Sequence, residues 1–113
     1  MGMYNLFMAR LPTTADVFNA IAEPQRRAIL ELLAQGELSV NEIAGALDFQ
    51  QPQASKHLRV LREVELVSVR TKGKQRLYQL QGEALKPIHD WVSTFEQTWN
   101  ERLDRLAAYL DEL

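Results

Sequence analysis

Two clusters of side chains in this 113-residue chain have types and spacing that can do chemistry. The first is Gln51, Gln53, Ser55, Lys56, His57, Arg59 and Arg62, and the second is Arg70, Lys72, Lys74 and Arg76, set around Gly73. Amide, hydroxyl, ammonium and guanidinium groups this close together suit the edges and backbone of nucleic acid. Gln matches adenine, Arg and Lys match guanine, and Ser serves either. Cations around a glycine turn reach phosphates, adding affinity and little sequence information. His57 is read either as a phosphate or base contact or as a ring wedged against the hairpin. The chain offers no paired carboxylates about a nucleophile, no glycine-rich phosphate loop and no histidine triad, so an enzyme is not expected. Zero cysteines exclude disulfides, thiolate metal sites and cysteine nucleophiles.

The net charge of −2 hides a strong asymmetry. Residues 51–76 carry seven cations against two acids, a net +5, whereas residues 1–50 come to −3 and residues 77–113 to −4. A mildly acidic chain thus concentrates its positive charge in one quarter of its length, which points to a polyanion, although a solvated charged face has the same composition.

The elements that must position these groups are legible from periodicity. With 46% hydrophobic and 25% charged residues, 113 residues make one ordinary domain whose thin core a subunit interface would supplement. Its parts are a 1–12 extension, a 15–82 core and an 83–113 helix. Thr13 or Thr14 can cap a helix over Ala15–Ala22 with Val17, Phe18 and Ile21 on one face. Pro24 starts a second helix, Pro24–Gln35, which Gly36 closes. Ser39-Val40-Asn41-Glu42 is a capping box opening a helix to Leu47. Gln51–Glu63 is a further helix with a narrow apolar stripe, Ala54, Leu58 and Leu61. The period then changes from 3.6 to 2: Val67, Val69, Leu77 and Leu80 alternate with polar residues about Thr71–Gln75, a β-hairpin ended by Gly82. From Glu83 to about Asp111 the chain is predicted helical, either as one helix or with a separate first turn ahead of Pro87, with Ile88, Val92, Phe95, Trp99, Leu103, Leu106 and Leu110 at three- and four-residue steps. Taken from Pro87 it is about 37 Å long at 1.5 Å per residue, longer than so small a body can cover. No run approaches the roughly 18 apolar residues of a membrane span. The apolar patch at Tyr4–Met8 precedes Arg10, the reverse of a signal peptide, so a cytoplasmic protein is expected.

Two short helices, a polar-faced helix and a basic hairpin follow the order of a winged helix-turn-helix, a mainly α fold with a small β-hairpin (α+β). At these residues the chain resembles the ArsR/SmtB family of transcriptional repressors. The resemblance runs from about Asp16 to Leu85 and rests on Glu23-Pro24-Gln25-Arg26-Arg27-Ala28-Ile29-Leu30, Glu37 to Ala44, Gln51 to Arg62, Leu66-Val67, the Lys-Gly-Lys wing and Leu77-Tyr78. It implies a homodimer through the first and last helices, double-stranded DNA as partner, and a palindromic operator. Val17, Phe18, Ile88, Val92, Phe95, Trp99, Leu103, Leu106 and Leu110 would form the interface.

The departures from that family are specific. Its arsenic, cadmium and lead sensors carry a Cys-x-Cys pair where this chain has Ser39 and Asn41. Its zinc sensors place Asp, His, His and Glu on the last helix, where matching positions here hold Pro87, Asn100 and Leu103. His89 beside Asp90 is a poor set against the four donors zinc takes, so no metal or other cofactor is expected. Family members usually cap the recognition helix with Ser, where Gln50 or Gln51 stands here, and follow it with Gly, where this chain has Glu65: either Glu65 takes the left-handed position at some cost or the helix ends differently. Ser39 and Asn41 near a helix start read as a phosphate contact or, more simply, as a cap. Trp91 and Trp99 read as core or interface before effector pocket, Arg26 and Arg27 as solvated, and Tyr78 as packed under the wing. The competing function is a winged-helix scaffold that recruits a protein through the N-terminal segment and last helix. The inducing ligand or partner is left open.

Overall fold

The computed structural model describes residues 16–113, so the 1–12 extension and the caps expected at Thr13 and Thr14 lie outside the described residues. Helix α1 spans Val17–Ala22 and is capped by Asp16, whose carboxylate accepts from the Phe18 amide at 2.7 Å. Helix α2, Pro24–Leu33, follows after one residue. Pro24 has no N–H for the end of α1, and two arginines supply donors instead. Arg26 donates to the carbonyls of Ala20 (2.6 Å) and Asn19 (3.2 Å), and Arg27 to those of Ile21 (2.7 Å) and Ala22 (3.3 Å). These side chains, expected to be solvated, therefore satisfy the last carbonyls of α1 at the end of its dipole that favours cations. Helix α2 is two residues shorter than predicted, and Gly36 takes its positive φ of 151° in the turn beyond.

Helix α3, Val40–Leu47, opens on the expected capping box, with Ser39 and Glu42 exchanging hydrogen bonds of 3.2 and 3.0 Å. It closes on Asp48 at φ 57°, a left-handed residue that Asp tolerates better than most. Helix α4 then covers Gln51–Glu63, the predicted range, with no side-chain cap from Gln50 and Pro52 in its first turn. Glu65 does adopt the left-handed conformation, at φ 63°, and the Leu66 amide returns to the Leu61 carbonyl at 3.0 Å.

Strands β1 (Val67–Lys72) and β2 (Gln75–Leu80) pair antiparallel through the two-residue turn Gly73-Lys74, with Gly73 at φ 62°. Val67 faces Leu80 and Val69 faces Tyr78, so these four share one side. Leu77, expected beside Leu80, pairs instead with Arg70 on the other side, because residues three apart in a strand point oppositely. Tyr78 is packed beneath the wing as expected, and its backbone bridges Leu38. The core gathers Ile29, Leu30 and Leu33 of α2, Ile43 of α3, Leu58 and Leu61 of α4, and Leu66, Val67 and Tyr78.

The helical stretch predicted from Glu83 to about Asp111 has the separate first turn allowed ahead of Pro87 and a second, unexpected break. A 3-10 turn at Gly82–Leu85 leads into α5, Lys86–Ser93, and α6 covers Glu96–Glu112. The break coincides with Ser93 and Thr94, whose hydroxyls donate to the carbonyls of His89 and Trp91, both at 2.7 Å. Such back-bonding competes with the helical ladder and bends it. Every residue of α6 is exposed.

Candidate nucleic-acid interface

Helix α4 presents two faces of opposite chemistry. Ala54, Leu58 and Leu61 are buried to within 1% of full burial, as their spacing predicts. At 100° per residue the opposite side is centred on Lys56 and Arg59, both exposed, with Gln51 and Arg62 also exposed. Ser55 and Gln53 are half-buried on the two flanks of that outer face. Donors, acceptors and cations thus share one surface of a helix slim enough for a major groove.

His57 is not on that surface. It is 7% exposed, because three residues from Ala54 is only about 60° around the helix. Its ring lies 6.3 Å from that of Phe49, and its Nε2 is 2.8 Å from Gln25 Oε1. The direct nucleic-acid contact considered for His57 is replaced by an internal one. Burial, with the positive charge of Arg26 nearby, holds its pKa below the ordinary 6.5.

The hairpin sits beside α4. Lys72, Lys74 and Arg76 are exposed, but Arg76 pairs with Thr71 and so lies on the opposite side of the ribbon from Arg70 and Lys72. Arg70 is engaged. Its Nε donates to Glu37 Oε2 at 2.7 Å, its Nη2 donates to Oε1, and Gln79 Nε2 adds a bond of 2.7 Å to Oε2. This fork ties both strands to the turn before α3, a role that the sequence reading of Arg70 as a phosphate contact missed.

The Arg70 hydrogen bonds hold the Glu37 carboxyl at about 2, against an ordinary 4.5. A lowered carboxyl pKa adds stability above its unfolded value and loses it as pH falls through the folded one. The melting temperatures of wild type and Glu37→Gln should therefore differ at neutral pH and converge as pH drops from 4.5 towards 2. A gap that stays constant over that range would show that the carboxylate does not brace the wing. The pair is solvent-exposed, so added salt should also narrow the gap.

The residues expected at a subunit interface lie on α1, α5 and α6, outside α4 and the hairpin. Val17, Ile88 and Val92 are half-buried, while Phe18, Phe95, Trp99, Leu103, Leu106 and Leu110 are exposed. Trp91, read from the sequence as core or interface, joins Phe18 and Phe95 edge-on, with ring centroids 6.0 and 5.3 Å away. The thiolate metal site of the family's sensors does not fit these residues. Ser39 uses its hydroxyl as a cap and Asn41 is exposed. Among the described residues the His89 ring has Asp90 alone within reach, at 3.5 Å, and no three potential metal-ligating side chains cluster. No described helix is long and apolar enough to cross a membrane.

Helix α3, a three-residue turn, helix α4 and a basic hairpin define a winged helix-turn-helix domain. Residues 23–69 match the family described as "Bacterial regulatory protein, arsR family". The HTH-type transcriptional regulator Rv2034 of Mycobacterium tuberculosis is 37% identical over 94 residues, 83% of this chain and 85% of that protein. The transcriptional repressor SdpR of Bacillus subtilis is 35% identical over 80 residues, 71% and 89% of the two chains. Among solved structures, a homodimeric winged helix-turn-helix DNA-binding domain from Mycobacterium bovis superposes with a TM-score of 0.61 at 34% identity, covering 75% of this chain and 79% of that one. This chain belongs to the ArsR family of regulatory proteins.

Proposed function

We propose that this protein is a cytoplasmic transcriptional repressor that binds a palindromic operator as a homodimer and answers to no metal. One observation carries the reading: the exposed cations of α4 and of the wing packed beside it belong to the helix-turn-helix core, whereas the large exposed apolar side chains belong to α1, α5 and α6. In this reading Gln51, Gln53, Ser55, Lys56, Arg59 and Arg62 meet the major groove, and Lys72, Lys74 and Arg76 meet the backbone beside it. Two copies join through α1, α5 and α6, which sets their α4 helices about 34 Å apart, one turn of duplex. Support for the dimer comes from the exposed apolar stripe of α6 and from the homodimeric Mycobacterium bovis relative.

The division of labour is testable by measuring affinities on the DNA upstream of the gene and on unrelated duplex. Gln53→Ala or Ser55→Ala should relax sequence preference by about 1–3 kcal/mol per good base contact. Lys72→Ala or Lys74→Ala should weaken binding to every sequence and flatten its salt dependence. Equal losses on both duplexes for all four variants would refute this assignment. No gel retardation of either duplex at low salt would instead favour the protein-recruiting scaffold.

A further inference from the structure

Beneath α4 lies a small polar cluster that composition and periodicity do not anticipate. Gln25, half-buried in the first turn of α2, accepts at Oε1 from Gln53 Nε2 at 2.7 Å and from His57 Nε2 at 2.8 Å. Two donors fill both lone pairs of that carbonyl oxygen. With Gln25 Oε1 turned towards it, His57 must carry its proton on Nε2, because an amide oxygen cannot donate, and its Nδ1 is buried without a partner among the described residues. The histidine is thereby fixed in one tautomer, and the amide of Gln25 in one orientation.

A glutamine side chain has two N–H groups and one carbonyl oxygen. Gln25 takes one N–H of Gln53, which leaves one donor and one acceptor, the complement of adenine in the major groove. We propose that Gln25, on a helix outside the groove, is a positioning residue for base recognition that holds the Gln53 amide ready to pair with adenine, with His57 locking Gln25 in place. The proposal rests on the DNA-reading function assigned to α4 above. Its physical content is preorganisation. A free glutamine loses rotamer freedom on binding, and one already hydrogen-bonded in place loses less.

The test uses the full chain, a duplex selected by the wild-type protein from a random-sequence pool, and a shuffled duplex of equal length. Gln25→Met keeps an unbranched side chain in α2 and removes the acceptor. It should lower the preference for the selected duplex by about three- to tenfold, the scale of ordering one flexible side chain. Affinity for the shuffled duplex and its salt slope should stay unchanged. Gln25→Glu, whose carboxylate accepts both bonds, should restore most of the preference, since its added charge weakens both duplexes alike. In a Gln53→Ala background Gln25→Met should change nothing further, because the two residues act as a unit. If Gln25→Met melts below the assay temperature, Gln25→Asn, which keeps the amide but falls a methylene short, is read in the same way. The proposal is overturned if preference survives loss of the acceptor while Gln53→Ala abolishes it, or if the two losses simply add. Failure of the wild type to select any sequence would overturn the DNA-reading function and this inference together.

Discussion

Glutamate at both Leu103 and Leu106 is expected to give a folded monomer that has lost about two to four orders of magnitude in operator affinity. Both leucines are more than half exposed, at 62% and 53%, and α6 is exposed along its whole length. Replacing them therefore removes no core contact from the isolated chain, and its helical content and melting transition should persist at low protein concentration. In the proposed dimer the same positions are covered, and a carboxylate there would lose its hydration without a partner, at several kcal/mol. Dissociation converts a two-site grip on DNA into two independent weak ones, and linkage of this kind is worth about 10²–10⁴ in affinity. Sedimentation equilibrium reads the assembly, and titration of the selected duplex reads the affinity. A double variant that still sediments as a dimer would remove α6 from the interface and leave the Phe18, Trp91 and Phe95 cluster to carry it.

What the sequence makes legible here follows from where the governing physics is local. The limits of α4 depend on Pro52 at its start and on a stripe of Ala54, Leu58 and Leu61, all inside thirteen residues. The capping box at Ser39 is equally local and is found where spacing places it, and the left-handed Glu65 stands where the family resemblance puts a glycine. The hairpin limits are close as well, because alternation and one glycine define them.

Long-range partnerships are different. Gln25 meets residues 28 and 32 positions away, and Glu37 meets Arg70 across 33. Each is an ordinary polar residue until the fold brings its partner to it. Charge counting reads Arg70 as a phosphate contact, and only tertiary structure shows the Glu37 carboxylate that it meets within the fold. Arg27 is exposed and Arg26 half-buried, yet the hydrogen bonds of both are hidden from the sequence for a related reason. Their partners are carbonyls that become available only because Pro24 cannot extend the preceding helix. The break at Ser93 and Thr94 is hidden because an unbroken apolar period outweighs two hydroxyl residues in any pattern argument, whereas those hydroxyls act by donating to the carbonyls of His89 and Trp91 one turn back.

The two faces of α4 should also separate energetically, and Leu58→Ala is the variant that tests this. Leu58 is 1% exposed and belongs to the core cluster with Ile29 and Ile43. Truncating such a leucine costs about 2–5 kcal/mol, the spread reflecting how far neighbours collapse into the cavity. Against a total stability of about 5–15 kcal/mol that is a large fraction. The melting temperature should fall by about 10 °C or more for a domain of this size. Lys56, on the opposite face of the same helix, is exposed, and Lys56→Ala should shift melting by less than about 0.5 kcal/mol in free-energy terms. At a temperature where both variants are folded the order reverses. Lys56→Ala should weaken duplex binding, and Leu58→Ala should retain nearly wild-type affinity and preference. If Leu58→Ala lowers the preference for the selected duplex as much as Gln53→Ala does, recognition depends on how rigidly the core clamps α4, and base contact and core packing must then be treated as one coupled term.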